Sequence, residues 1–343
     1  MDVGPPSSAR ARVHPVWLGL LFFFSGALGL AYEVSWSRGL LLRLGSTASA
    51  AALVLGVFVA GLGLGARWSG RRIEREARPL RLYGYLEILA ALWALLSLPL
   101  IDVLEGPYVA VASVLPAFLR PALRLLLAGI VVFPAAFLLG ATLPAMVREA
   151  VSGTNQTGRR TAWLYGINTI GAVVGCLWAG FFGVEQFGVR GVLLIAAGVG
   201  VALGLVAWAL SRPRTLPERE PTQAAPNALR PAMWLAFLCG FIGLGVEIVG
   251  FRILVFFLEG FTATFAAMLG VFIAGLGIGS LVLGPSLART LKPARLLGVL
   301  LLFAGATLAF NLYVVVPSLE HWMHGIRAVS YTHLRAHETA MNI

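Results

Sequence analysis

Three acidic residues and one run of glycines are the groups in this chain best placed to do chemistry. Glu33, Glu87 and Glu247 each stand in or against a long apolar stretch. A carboxylate is costly to hold there, and such groups are by default candidates for handling ions, protons or polar solutes. Gly61, Gly63 and Gly65 form G-x-G-x-G within "GVFVAGLGLG" (Gly56–Gly65). That spacing can wrap a nucleotide or S-adenosylmethionine if the glycines leave a strand, open a helix and meet water. Small residues four apart can instead let two helix backbones approach closely in lipid, and Gly61-x-x-x-Gly65 has that spacing.

Composition decides between the two. Of 343 residues, 59% are hydrophobic and only 12% charged, with a mean hydropathy of +0.86. A soluble globular chain is roughly half apolar and a quarter charged. Here the charges cluster, and between the clusters lie apolar stretches of about 20 residues, enough to cross a bilayer as helices. The sequence predicts an all-α polytopic membrane protein with nine spans: Val16–Tyr32, Ala48–Ala66, Leu82–Ile101, Leu123–Met146, Ala162–Val184, Val192–Leu210, Ala232–Val249, Thr264–Leu283 and Leu296–Val316. The first is followed by Glu33 and Trp36 rather than a small-residue cleavage site, so it reads as a span and not a signal peptide. The glycine run lies inside the second span, so packing is the expected role of Gly61 and Gly65.

Basic residues orient the chain. Eighteen fall on the N-terminal tail and the even-numbered loops, against seven on the other side, so the N-terminus is expected in the cytoplasm. The same asymmetry accounts for the net charge of +11 and fits contact with anionic lipid. The arginines are divided among short loops without interleaved aromatic platforms, which argues against nucleic acid as a partner. The bilayer is the expected partner.

The glycine run has a twin. "GVFIAGLGIG" (Gly270–Gly279) repeats it at an offset of 214, which places Gly275 and Gly279 beside Gly61 and Gly65 as packing candidates. Upstream, Gly26 matches Gly240, Gly29 matches Gly243, Glu33 matches Glu247 and Arg38 matches Arg252. Six spans separate the copies, so the two keep one orientation, as the parallel repeats of major-facilitator transporters do. The expected organisation is a cytoplasmic tail (1–15), a six-helix half (16–210), a charged, proline-rich linker (211–231) and the start of a second half (232–328).

Several segments carry resemblances. The loop "GLGARWSGRR" (Gly63–Arg72) resembles the G-x-x-x-D-R-x-G-R-R loop of the major facilitator superfamily: Gly63, Gly70, Arg71 and Arg72 match, whereas Arg67 stands in place of the acid and Trp68 in place of a basic residue. "FSGALGLAYEVSWSRGL" (Phe24–Leu40), "FPAAFLLGATLPAM" (Phe133–Met146) and "WLYGINTIGAVVGCLWAG" (Trp163–Gly180) resemble a bacterial group of fused major-facilitator-like/spermidine-synthase membrane proteins. That resemblance implies a plasma-membrane location, polyamine biosynthesis and a soluble aminopropyltransferase-like domain that uses an S-adenosylmethionine fold. No such domain is visible in this sequence, so no catalytic residue and no cofactor are expected in it. "VSYTHLRAHET" (Val329–Thr339) is similar to the translated adapter of a transposon-based sequencing library, and 329–343 is expected to be non-native, ending a fragment.

The remaining candidates each carry two readings. Glu33 and Glu247, near the outer ends of the first and seventh spans, are either functional or simply end their helices at the headgroups. Each has an arginine five residues on, about 140° around a helix, so neither faces its own arginine. Glu87 either lines a cavity or pairs with loop arginines. Asn168 and Thr169 either bind a substrate or hydrogen-bond a neighbouring helix beside a packing face at Gly171 and Gly175. Cys176 and Cys239 are lone thiols inside spans, and the sequence supports neither a disulfide framework nor a metal site. Two functions follow: the membrane domain of a spermidine-synthase-like protein with polyamine-like substrates, or a transporter of a small solute, cations included.

Overall fold

Long apolar runs form helices among the described residues, and α3 and α4 continue through internal prolines at Pro99, Pro107, Pro134 and Pro144. The computed structural model describes residues 13–45, 48–151, 157–213, 226–257, 261–283, 293–318 and 321. The tail before Val13, most of the 211–231 linker and everything after His321 lie outside the described residues. The helices are α1 (Pro15–Leu44), α2 (Ala48–Arg72), α3 (Pro79–Val114), α4 (Arg120–Ala150), α5 (Thr157–Trp178), α6 (Val184–Leu210), α7 (Pro226–Phe257), α8 (Phe261–Ile278) and α9 (Pro293–Phe310). Among the described residues, eight continuous stretches are long and apolar enough to cross a membrane. The longest, Arg160–Leu210, joins α5 to α6. At 1.5 Å per residue it would be about 76 Å long, more than twice a hydrocarbon core. Gly188 breaks it, with φ 66° and ψ 174°, a backbone that L side chains avoid and glycine adopts freely.

Several ends are locally encoded. Pro15 and Pro79 open α1 and α3, where the missing N–H is no loss. The His14 ring nitrogen Nδ1 accepts from the Val16 N–H at 3.4 Å. Gly45, at φ 103°, closes α1.

Two expectations need correction. The first span does not stop at Tyr32: α1 continues eleven residues past Glu33, because the residues after Arg38 are apolar again and the intervening Ser35 and Ser37 are buried. Likewise α7 runs ten residues past Glu247. Neither acid ends its helix. The segment Gly63–Arg72 is not a loop but the last turns of α2. The connection proper is a short turn at Ile73–Arg75.

The described residues up to Val282 form one compact unit and those from Leu283 onward another. In the first, the principal pairs are α1 with α5, α2 with α4, and α3 with α6, while α8 leans on α5, α7 and α1. Lipid tails are as apolar as leucine, so close backbone packing and interhelical hydrogen bonds must hold helices together. A Cβ on Gly65 would overlap the Phe137 carbonyl oxygen of α4, and one on Gly61 would lie 2.6 Å from the Ala136 Cβ. Between α1 and α5 the same interlock involves Gly26 against the Asn168 carbonyl, Gly171 against that of Phe23 and Gly175 against that of Ala27. In the second unit, α9 is an apolar helix of 18 residues followed by a wider turn at Asn311–Val315.

Candidate functional site

Polar groups inside this bundle fall into two nodes and one latch. The first node sits between α1 and α3. Glu87 is 1% exposed and lies just over two turns into α3. Its Oε1 accepts a short hydrogen bond from the Ser25 hydroxyl of α1. Glu87 is therefore held by a neighbouring helix and does not pair with loop arginines as one reading expected. Tyr83, one turn before Glu87, donates to the Leu21 carbonyl at 3.0 Å. Farther along the same helix pair, Trp36 Nε1 donates to Ser97 Oγ at 2.8 Å, and Ser97 donates to the Ala94 carbonyl at 2.6 Å.

The second node is the two repeated acids, on helices that both pack against α8. Glu33 on α1 is 2% exposed and Glu247 on α7 is 4% exposed. Each carboxylate keeps one oxygen, Oε1, buried and without a hydrogen-bond partner. The Cys176 thiol is already directed at the Ala266 carbonyl of α8, 3.4 Å away. Among the described residues, no three His, Cys, Asp or Glu side chains are grouped to hold a metal ion. The ion pairs there involve Asp102 and Glu105, not these acids.

The latch closes the far end of α1. Asp102 of α3 accepts from both Arg43 of α1 and Arg190 of α6, and Glu105 lies 3.7 Å from Arg43. One carboxylate thereby ties three helices.

Asn168 and Thr169 take structural partners. Asn168 Nδ2 donates to the Phe22 carbonyl of α1 at 2.9 Å, beside the Gly171 and Gly175 contacts. Thr169 donates to Tyr165 of its own helix at 2.7 Å. At the end of α2, Arg71 and Arg72 are exposed. The Arg72 guanidinium lies 4.6 Å over the Trp68 ring, so the tryptophan found where the loop pattern has a basic residue serves as a cation–π platform. Gly63 and Gly70 have no described atom within 4 Å of a Cβ.

The second glycine run departs from its twin. No described atom lies within 4 Å of a Cβ on Gly275 or Gly279. The close approach in this copy is at Gly277, whose Cβ would be 3.1 Å from Thr169 Cγ2 of α5. The physical reason is the neighbour: α2 lies on α4, whereas α8 lies on α5. The position 214 residues beyond α4 falls outside the described residues.

A separate cavity of about 470 Å³ opens where α1 begins, α4 ends and α5 begins, lined by His14, Leu18, Glu149, Arg160 and Trp163. Glu33 is nineteen residues farther along α1 than His14, about 28 Å away, so this cavity and the acid pair are separate features.

Spacing did not reveal Ser25, Ser97, Cys176 or Asp102 as partners. Of these, only Asp102 left a trace, as an acid at the same predicted membrane side as Arg43 and Arg190.

The sequence matches the family description Major Facilitator Superfamily over residues 106–331, well over half of the chain. The chain belongs to the Major Facilitator Superfamily. No curated protein and no solved structure matches it. As a member of that superfamily it is a multi-span protein of a lipid bilayer.

Proposed function

We propose that this major-facilitator protein is a transporter that moves a small solute by rocking two helical halves about a site near the bilayer midplane. The observation that carries this reading is the pair of buried acids, Glu33 and Glu247, each with an oxygen lacking a partner. Carboxylates held unpaired inside a membrane bundle are expensive, and a transport route is the usual reason for keeping them. In this reading the halves are 16–210 and 232–328, joined by the 211–231 linker. The N-terminus lies in the cytoplasm of a bacterial plasma membrane, as the eighteen-to-seven division of basic residues favours. Reporters placed after Arg75 and after Pro116, at the two ends of α3, are expected on opposite sides.

The test is uptake into proteoliposomes containing the purified chain, screened with small cationic, neutral and anionic solutes. Saturable uptake above protein-free vesicles is expected for at least one solute. Glu247→Gln is expected to slow it by about tenfold or more, as the loss of a charged-group contact predicts. No uptake of any solute would overturn the reading.

A second reading rests on the segments Phe24–Leu40, Phe133–Met146 and Trp163–Gly180. Their resemblance to spermidine-synthase fusions supports a membrane domain that works with an aminopropyltransferase-like partner domain and polyamine-like substrates. The longer reading frame at the genomic locus would decide it: a soluble α/β domain following the spans supports this reading, and its absence removes it.

A further inference from the structure

The cavity of about 470 Å³ at the start of α1, the end of α4 and the start of α5 has no part in the transport reading. Its wall is divided by chemistry: His14, Glu149 and Arg160 are polar, whereas Leu18 and Trp163 are apolar. The division follows depth. The apolar runs of the three helices begin at Val16, end at Met146 and begin at Ala162. His14, Glu149 and Arg160 stand two or three residues outside those limits, about 3 to 4.5 Å at the helical rise. Leu18 and Trp163 stand one or two residues inside them. The cavity therefore straddles the edge of the hydrocarbon layer, with its polar wall at the level of lipid headgroups. Val16, Trp17 and Leu20, at the same end of α1, are exposed, as suits a helix face that meets acyl chains.

The polar wall offers donors. Arg160 carries five N–H groups, and its Nη1 donates to the Ala150 carbonyl at the end of α4. None of the ion pairs among the described residues involves Arg160. His14 accepts at Nδ1 from the Val16 N–H, which leaves Nε2 to carry the ring proton and donate. Glu149, the acid on the same wall, already has an interaction of its own within the protein. The Trp163 ring is held from behind: a Cβ on Gly19 of α1 would lie 3.0 Å from its Cη2. A cation and a neutral donor at headgroup depth, above an apolar floor, call for an anion with an apolar tail.

We propose that this cavity holds the phosphodiester of a membrane phospholipid, with Arg160 and the His14 Nε2–H donating to its oxygens while the acyl chains pass Leu18 and Trp163 into the bilayer. A guanidinium can give two parallel hydrogen bonds to a phosphate, which an ammonium cannot. The volume lies within the range of small-ligand sites, about 300–1,000 Å³. The basic residues assign this end of the bundle to the cytoplasmic leaflet. A soluble phosphate ester has the same oxygens but leaves the apolar floor uncovered, and a neutral lipid covers the floor but leaves Arg160 without its anion. Both are therefore discriminated against.

The experiment uses the full chain in a neutral detergent, with thermal stability and native mass spectrometry as readouts. The probes are dioctanoyl phosphatidylglycerol, dioctanoyl phosphatidylethanolamine, dioctanoylglycerol and glycerol 3-phosphate, at equal ionic strength. Both phospholipids are expected to bind saturably and raise the melting temperature. Dioctanoylglycerol, which lacks the phosphate, and glycerol 3-phosphate, which lacks the chains, are expected to bind weaker by roughly tenfold or more. Arg160→Gln should weaken phospholipid binding by about tenfold, with Arg160→Lys recovering part of it. The double variant Arg71→Gln, Arg72→Gln, at the exposed end of α2, should bind as the unmodified chain does.

Equal stabilisation by dioctanoylglycerol or by glycerol 3-phosphate would overturn the proposal. That comparison needs only the unmodified chain, so it stands even if an Arg160 variant fails to fold. An equal loss in the Arg71, Arg72 variant would also overturn it, because the lipid would then be answering the general charge of that surface and not this cavity.

Discussion

Two copies of one ten-residue glycine run, on α2 and α8, differ only by Val/Ile and Leu/Ile exchanges, yet they use different glycines. On α2 the tight positions are Gly61 and Gly65, pressed on the α4 backbone, while Gly63 is open. On α8, Gly275 and Gly279 have no described neighbour, and Gly277 meets Thr169 of α5. A run of alternate glycines thus offers more than one face. G61-x-x-x-G65 and its twin share one face of the helix, while Gly63 and Gly277 point about 200° from it. Which face is used depends on the helix lying beside it. The acids behave in the opposite way: Glu33 and Glu247 remain equivalent, both buried and both with an unpartnered oxygen.

The largest test of this contrast is Gly65→Leu against Gly279→Leu. At Gly65 even the Cβ overlaps the Phe137 carbonyl, and backbone cannot rotate away as a side chain can. A loss of about 3 kcal/mol or more is expected, read as absence of a monodisperse peak in fluorescence-detected size exclusion. Gly279→Leu should shift the melting temperature little. Equal damage at both sites would mean that α8 packs its Gly275 and Gly279 face after all.

The reciprocal pair is milder. Gly277→Leu is expected to cost about 1 kcal/mol through overlap with Thr169, whereas Gly63→Leu should be close to neutral. A thermal-shift series of the two variants checks the sign. A more damaging Gly63→Leu would reverse the assignment of faces.

The copies also differ at the helix ends. Arg43 of α1 corresponds to Phe257 of α7, so the Asp102 latch belongs to the first copy. Asp102 is partly exposed, with a side-chain exposure of 34%, and exposed ion pairs contribute at most about 1 kcal/mol. Asp102→Asn is expected to lower stability by less than that, and the difference should shrink in high salt. An effect that is large and insensitive to salt would show that the latch is buried and structural.

Smallest of all should be Trp36→Phe. Trp36 corresponds to Gly250, so the hydrogen bond to Ser97 has no counterpart on α7. Interhelical hydrogen bonds in membranes average about 0.6 kcal/mol. A melting-temperature drop beyond what that value implies would point to lost ring packing, since Trp36 stacks on Tyr32 with ring centroids 5.4 Å apart.

Much of the architecture was legible in order. Apolar runs placed the nine helices of the described residues, because in lipid a backbone must satisfy its own hydrogen bonds and a long apolar run has no alternative to a helix. The ends were less legible. Glu33 and Arg38 read as the border of a span, yet α1 passes through both. A single charge does not stop a helix when neighbouring helices cover it. The loop pattern at Gly63–Arg72 misled for a related reason: the motif is helical, and its basic residues mark the last turn of a helix instead of a connection.

Composition, the 214-residue repeat and the spacing of small residues determined by themselves that this is a duplicated helical membrane protein, and which acids deserved notice. These are properties of one chain segment at a time, set by transfer free energy and helical period. Only the tertiary structure decided that Ser25 holds Glu87, that Asp102 joins Arg43 to Arg190, and which glycines of each run are tight. Each of those facts pairs residues from different helices. Pairing in a bundle is settled by which backbones can approach one another, and no single segment carries that information.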